Sequence, residues 1–171
     1  MKAVLAVSAM LALLAPAADL EVGKPVPDVK LGDKSLAELT KAGKVVAVYF
    51  WSQDCPYGPP QFARLKETAA KYAANEKVAF ISVAAFGEKE EKVAAWAKDN
   101  ELKSPLVFDT GRAIAKHFGA RKVNYTYVID AKGNLVYRGG FEPVGEAIEA
   151  ALNGTAAPKS DAAFQGCGIK I

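Results

Sequence analysis

The segment from Val45 to Pro60 constrains this chain more than any other. Val45-Val46-Ala47-Val48-Tyr49-Phe50 is an unbroken apolar, β-branched run. Such a run reads as a central strand buried on both faces, as in parallel sheets. A turn from Trp51 to Gly58 follows, and Pro59 and Pro60 suit the first turn of a helix, where no backbone donor is needed. Phe62, Leu65, Ala69 and Tyr72 then recur at spacings of three and four, the apolar stripe of an amphipathic helix. Cys55 therefore sits between a buried strand and a helix entrance. Free N–H groups and a partial positive charge at such an entrance favour thiolate over thiol, and the thiolate is the species that attacks disulfides and peroxides. Pro56 removes one donor but fixes the backbone entering the helix.

The rest of the chain alternates in the same manner. Lys34 to Thr40 predicts a short helix with Ser35 as its cap. Val78–Val83 predicts a second strand, and Glu88–Asn100 a charged amphipathic helix with Val93 and Trp96 inward. Leu106–Phe108 predicts a short strand, and Ala113–Phe118 a helix closed by Gly119. His117, the only histidine, is expected at that helix's C-terminus as a favourable cation. Tyr125–Ile129 and Leu135–Arg138, joined by Asp130-Ala131-Lys132-Gly133-Asn134, predict a hairpin. Val144, Ile148 and Leu152 mark a last helix, stopped at Gly154. Thr155–Ser160 then reads as a loose connection to the C-terminal end. Alternating strands and helices joined by right-handed crossovers, with an antiparallel hairpin at the end, imply an α/β fold. Its central sheet is mixed, with helices on both faces.

The two ends of the chain bear on its address. Lys2, the apolar run Ala3–Leu14 and the small residues Ala15-Pro16-Ala17 have the pattern of a signal peptide cleaved near Ala18. The run is shorter than the roughly 20 residues a membrane span needs, although an uncleaved anchor is the alternative reading. The expected division is a signal peptide over 1–17, one domain over 18–154 and a tail over 155–171 that carries Cys167. Export makes the protein periplasmic or secreted, with no stable membrane span after cleavage. There, the chain's two cysteines, Cys55 and Cys167, can be a disulfide or a cycling dithiol. With 22 basic and 19 acidic residues evenly spread, nothing argues for nucleic acid. One histidine and two cysteines match no zinc pattern, and no metal or cofactor is expected.

The strand–Cys–helix unit resembles thioredoxin-like redoxins, in the group that contains the alkyl hydroperoxide reductase/thiol-specific antioxidant proteins. Similar matches are the lead-in Val22-Gly23-Lys24-Pro25-Val26-Pro27-Asp28, the Phe50-Trp51 pair, and Tyr127-Val128-Ile129-Asp130 followed by Gly133. The end Gly166-Cys167-Gly168-Ile169-Lys170 is similar to that of peroxiredoxin-like exported thioredoxin-fold proteins. The resemblance implies a thioredoxin-like fold. It also exposes three departures. Gly58 stands where a Cys-x-x-Cys motif has its second thiol. Asn124, preceded by Val123, stands where the family has a cis-proline that shapes the substrate groove. Val48 stands where peroxiredoxins have a proline, although Ser52 keeps the hydroxyl three residues before the thiol. Arg121 is the substitute for the peroxiredoxin arginine.

By this resemblance Cys55 is the nucleophile and Ser52 its hydroxyl neighbour, while Trp51, Pro56, Tyr57, Asn124 and Arg121 surround a substrate groove. Trp51 has packing as its competing role. Cys167 reads either as a resolving thiol or as half of a permanent staple. The leading expectation is an extracytoplasmic thiol-disulfide oxidoreductase whose partner is a thiol or disulfide protein or small molecule. The rivals are a divergent thiol peroxidase, with peroxide as its partner, and a non-catalytic thioredoxin-like binding or scaffold domain.

Overall fold

A small hairpin, β1 (Lys30–Leu31) and β2 (Lys34–Ser35), opens the ordered elements and leads straight into α1 (Leu36–Lys41). A computed structural model of the chain describes residues 20–161 and 163–171. The predicted signal peptide over 1–17 lies outside the described residues. Ser35 caps α1 as expected: its side chain accepts from the Glu38 N–H, and the Glu38 carboxylate returns to the Ser35 N–H.

The apolar run forms β3 (Val45–Trp51), every residue of it buried. The remaining elements are α2 (Pro59–Ala73), β4 (Val78–Ala84), α3 (Glu90–Asp99), β5 (Leu106–Phe108), α4 (Ala113–Phe118), β6 (Tyr125–Ile129), β7 (Leu135–Gly140) and α5 (Val144–Asn153). The five long-range strands make one sheet in the order β5-β4-β3-β6-β7. β3, β4 and β5 run parallel, and β6 and β7 antiparallel to their neighbours. This is the mixed sheet the sequence predicts, in a thioredoxin-like fold.

Strand side chains alternate between faces, so β3 serves two cores. Val46, Val48 and Phe50 pack with Leu36 and Leu39 of α1 and Ile114, Ala115 and Phe118 of α4. Val45, Ala47, Tyr49 and Trp51 pack with Leu65, Ala69 and Tyr72 of α2, Val93 of α3 and Ala147 and Ile148 of α5. Among the described residues no helix is long and apolar enough to cross a membrane.

Two expectations are corrected. The segment after Gly154 is not loose. The Asp161 N–H donates to the Arg138 carbonyl, the Arg138 N–H to Ser160 Oγ, and the Arg138 side chain pairs with Asp161. β7 is an edge strand whose outer backbone groups need partners, and this segment supplies them. His117 is half-buried against the Pro27 carbonyl, and burial lowers its pKa. His117 does lie in the last turn of α4, but desolvation outweighs the Pro27 hydrogen bond and the Asp28 charge, so it holds a proton less readily than expected there.

Candidate functional site

The turn after β3 is held by a single hydroxyl. Ser52 Oγ accepts from the backbone N–H of Asp54 (3.1 Å) and of Cys55 (3.2 Å), and donates to the Glu88 carboxylate. Ser52 is 2% exposed. Its hydrogen is thus committed to Glu88 and its lone pairs to the turn, which leaves it shaping the backbone around Cys55. Glu88 was expected to open the charged amphipathic helix. Instead α3 begins at Glu90, and Glu88 is drawn into the turn by Ser52. Asp54 points outward to Lys92 of α3 at 2.6 Å, so its charge is balanced at the surface.

The helix entrance differs from the expectation of free donors. The Gly58 N–H donates to the Cys55 carbonyl and the Gln61 N–H to the Gly58 carbonyl. Pro59 and Pro60, at the first two helical positions, have no N–H to offer. What remains at this entrance is the dipole of α2. The same tight turn explains the missing second thiol of a Cys-x-x-Cys. A Cβ built on Gly58 would lie 2.6 Å from the Ser52 carbonyl oxygen and 3.0 Å from that of Cys55. No side chain fits there without moving backbone.

The second sulfur comes from the far end of the chain. Cys55 and Cys167 are joined in a disulfide with Cα atoms 5.8 Å apart, 112 positions from each other in sequence. Cys55 is only 1% exposed, whereas Cys167 is partly exposed on top of it. The tail is seated by main-chain pairing: the Val123 N–H donates to the Cys167 carbonyl at 2.9 Å, and the Ile169 N–H to the Arg121 carbonyl at 2.8 Å. Lys122 and Gly168 face each other as an antiparallel bridge. Ile169, 6% exposed, anchors the end in the core that also contains Cys55.

Asn124 ties these pieces together. It takes a left-handed backbone conformation, φ 63°, which asparagine tolerates better than most residues. Its N–H donates to the Phe50 carbonyl at 2.7 Å. Its side-chain amide donates to the carbonyls of Tyr57 (3.1 Å) and Gln165 (3.2 Å), and its side-chain oxygen accepts from the Tyr49 hydroxyl (3.0 Å). Burial holds the Tyr49 hydroxyl far above the ordinary tyrosine range, so it stays a donor. Asn124 thus joins β3, the thiol turn and the tail.

The structure brings Cys55, Ser52, Pro56, Tyr57, Asn124 and Cys167 together. Pro56 and Tyr57 are exposed beside the disulfide, and with Phe141, Phe164 and Gln165 they line a cavity of about 350 Å³. Arg121 enters through its backbone carbonyl. Trp51 is not part of a groove: it is fully buried on the opposite face of the sheet from Val48 and Phe50, with ring centroids 4.7 Å from Trp96 and 6.0 Å from Phe62. Its strand parity sends it there. Sequence reasoning missed Glu88, which no local pattern links to a serine 36 residues earlier. It also missed Ile169, whose anchoring role follows only from where the tail docks. Among the described residues no cluster of His, Cys, Asp and Glu could hold a metal.

A thioredoxin-like fold with a cysteine after its central strand defines a redoxin, and the comparisons with known proteins agree. The AhpC/TSA family matches residues 15–138, well over half the sequence, and the chain belongs to that family. Cys55 lies inside the matched span and Cys167 beyond it. The chain is similar to the thiol-disulfide oxidoreductase ResA of Bacillus thuringiensis subsp. konkukian, 27% identical over 120 residues that cover 68% of each protein. It superposes on a hypothetical protein of Sinorhizobium meliloti 1021 with a TM-score of 0.78 at 24% identity, over 90% of this chain and 96% of that one. It also superposes on a thioredoxin-like protein in the oxidised form, with a TM-score of 0.61 at 19% identity, over 82% and 96%.

Proposed function

We propose that the chain is an extracytoplasmic thiol-disulfide oxidoreductase in which Cys55 is the nucleophile and Cys167 the resolving thiol. The observation that carries this reading is the Cys55–Cys167 disulfide at the mouth of α2. The ResA relatives, named for the same activity, support it. In the reduced chain the Cys55 thiolate attacks a partner disulfide. A Cys55–partner bond forms, and one partner thiolate leaves and takes a proton from solvent. The Cys167 thiolate then attacks Cys55 Sγ and expels the second partner thiolate. The partner gains two electrons, the chain loses two, and the disulfide seen here is the product. Ser52 and Asn124 shape the turn and groove around Cys55, with Pro56 and Tyr57 at its rim.

A signal peptide over 1–17, a catalytic domain over 18–154 and a redox-active tail over 155–171 complete the reading. The Lys2–Ala17 pattern supports export, and a disulfide suits an oxidising compartment. The test is reduction of oxidised glutathione or a protein disulfide by the pre-reduced chain. Cys55→Ser is expected to fall to the uncatalysed rate, and Cys167→Ser to accumulate a mixed disulfide at Cys55, seen by mass spectrometry. Unchanged turnover in Cys55→Ser rejects the proposal.

A further inference from the structure

A second cavity, of about 430 Å³, has no part in the disulfide chemistry. It lies where β4 begins. β3 and β4 are parallel, with Val45 beside Val78 and Trp51 beside Ala84, so the cavity is at the opposite end of the sheet from the turn that carries Cys55. At about 3.3 Å per residue the two ends of β3 are about 20 Å apart. The wall of this cavity includes an open strand edge. β5 pairs with β4 only over Ser82–Ala84. The Ser82 N–H donates to the Pro105 carbonyl (3.0 Å), and the Ala84 carbonyl accepts from the Asp109 N–H (2.9 Å). Alternate residues of the strand turn their backbone groups to the same side, so Phe80, two residues before Ser82, turns its N–H and carbonyl that way too. The next ladder donor to the Phe80 carbonyl falls at position 105, and Pro105 has no N–H. Neither backbone group of Phe80 has a partner among the described residues, and Phe80 lines the cavity. The Val78 N–H is turned back to the Asn75 carbonyl, which limits the open edge to one residue.

The charge of the wall selects the occupant. Lys34, Lys44 and Lys103 line the cavity against a single acid, Asp33. Lys44 is engaged with the Glu76 carbonyl, whereas Lys34 and Lys103 are exposed and have no acidic partner among the described residues. The floor is apolar, with Leu39, Ile81 and the Tyr72 ring buried. Lysines on a strand edge repel a second copy of the same edge, so self-pairing is disfavoured and a chain of opposite charge is favoured. We propose that this cavity is a docking site for an extended acidic segment of another protein. One residue of that segment exchanges two backbone hydrogen bonds with Phe80 as an antiparallel partner does, its neighbouring carboxylates meet Lys34 and Lys103, and an apolar side chain enters over Leu39 and Ile81. Neither cysteine contributes to the site, so it holds the segment in the oxidised and the reduced chain alike.

The test titrates a fluorescently labelled peptide, Glu-Val-Glu-Val-Glu blocked at both ends, into the oxidised full chain and reads anisotropy. The controls are Lys-Val-Lys-Val-Lys and the acidic peptide with every amide N-methylated, which keeps the charge but removes the backbone donors. The acidic peptide is expected to bind about tenfold tighter than either control, or more. Its saturation is expected to shift the Phe80 amide resonance in a nitrogen–proton spectrum while leaving that of Val123, beside the tail, in place. The pair Lys34→Glu/Lys103→Glu is expected to weaken the acidic peptide about tenfold or more. Lys34→Gln/Lys103→Gln serves if that pair does not fold, as a thermal melt will show. Reducing the disulfide is expected to leave the affinity unchanged. Absence of binding, equal affinity for the acidic and basic peptides, binding that survives the lysine changes, or a Phe80 amide that does not move each overturns the proposal. Tight binding of the N-methylated peptide, or displacement of the acidic peptide by an equal concentration of glutarate, shows a site for carboxylates alone and overturns the extended segment. None of these outcomes involves Cys55, so the disulfide-exchange reading stands or falls separately.

Discussion

Replacing Asn124 with alanine removes one side chain from three places at once, and the structure sets the size of the effect. The Tyr49 hydroxyl, on a fully buried residue, loses its only side-chain acceptor shown, at a cost of about 1–3 kcal/mol for a buried polar group left unpaired. Alanine at φ 63° adds about 1–2 kcal/mol of backbone strain. The amide bonds to Tyr57 and Gln165 contribute little more, because both residues are exposed and water can replace the donor. The sum is about 2–5 kcal/mol. Two controls separate these parts. Asn124→Gly keeps the backbone conformation and is expected to recover about 1–2 kcal/mol. Tyr49→Phe removes the buried hydroxyl, so the double variant Tyr49→Phe/Asn124→Ala is expected to be more stable than the two single losses added together, by about 1 kcal/mol or more. The assay is urea denaturation of the oxidised full chain for all four variants. The reasoning is refuted if Asn124→Ala costs under about 1 kcal/mol, or if the double variant is additive within about 0.3 kcal/mol.

Two further outcomes follow from the same coordinates. Reducing the disulfide reopens a loop of 112 residues, worth about 5 kcal/mol in the chain-entropy account. For a domain of this size calorimetry with and without reductant should show Tm falling by roughly 10–20 °C, and a shift below about 3 °C contradicts that account. Burial lowers the pKa of His117, so below its ordinary value the unfolded chain binds a proton that the folded chain resists. Stability from this residue is complete above about pH 6.5 and declines as pH falls through 6.5 toward the lower folded value. Thermal melts from pH 8 to 5.5 should slope downward in wild type and less steeply in His117→Gln; parallel slopes remove His117 as the cause.

The elements were legible where periodicity is strong. The apolar run of β3, the stripe of α2, the hairpin turn at Asp130–Asn134 and the Ser35 cap each follow from local rules, and each stands where the sequence places it. The two-residue strands β1 and β2 were invisible because two residues have no period. Cys55 was legible as the candidate reactive position because it lies between two strongly patterned elements. Its chemical surroundings were not. The commitment of Ser52 to Glu88, the closure of the turn over Gly58 and the burial of Cys55 beneath the tail all depend on contacts between segments far apart in sequence. The pairing of Cys55 with Cys167 belongs to the same class: two cysteines 112 residues apart can bond only if the fold brings them within reach, and nothing local says whether it does.

The distance between the two thiols along the chain also shapes the redox cycle proposed for it. In a Cys-x-x-Cys turn the second sulfur is fixed to the same helix, and exchange needs little movement. Here Gly58 leaves no room for that sulfur, and the second thiol rides on a segment held by two main-chain hydrogen bonds, the Asn124 amide and a buried isoleucine. Breaking the disulfide removes the one covalent tie of that segment, while the non-covalent ties persist and compete with any partner. Under the proposed cycle the seating of the tail over Cys55, and not the acidity of Cys55 alone, then sets how fast Cys55 meets a substrate. A weakly seated tail gives a readily accessible thiolate that resolves slowly; a firmly seated one resolves fast but admits partners slowly. Under that cycle the burial of Ile169 in the core that also contains Cys55 argues for the second case.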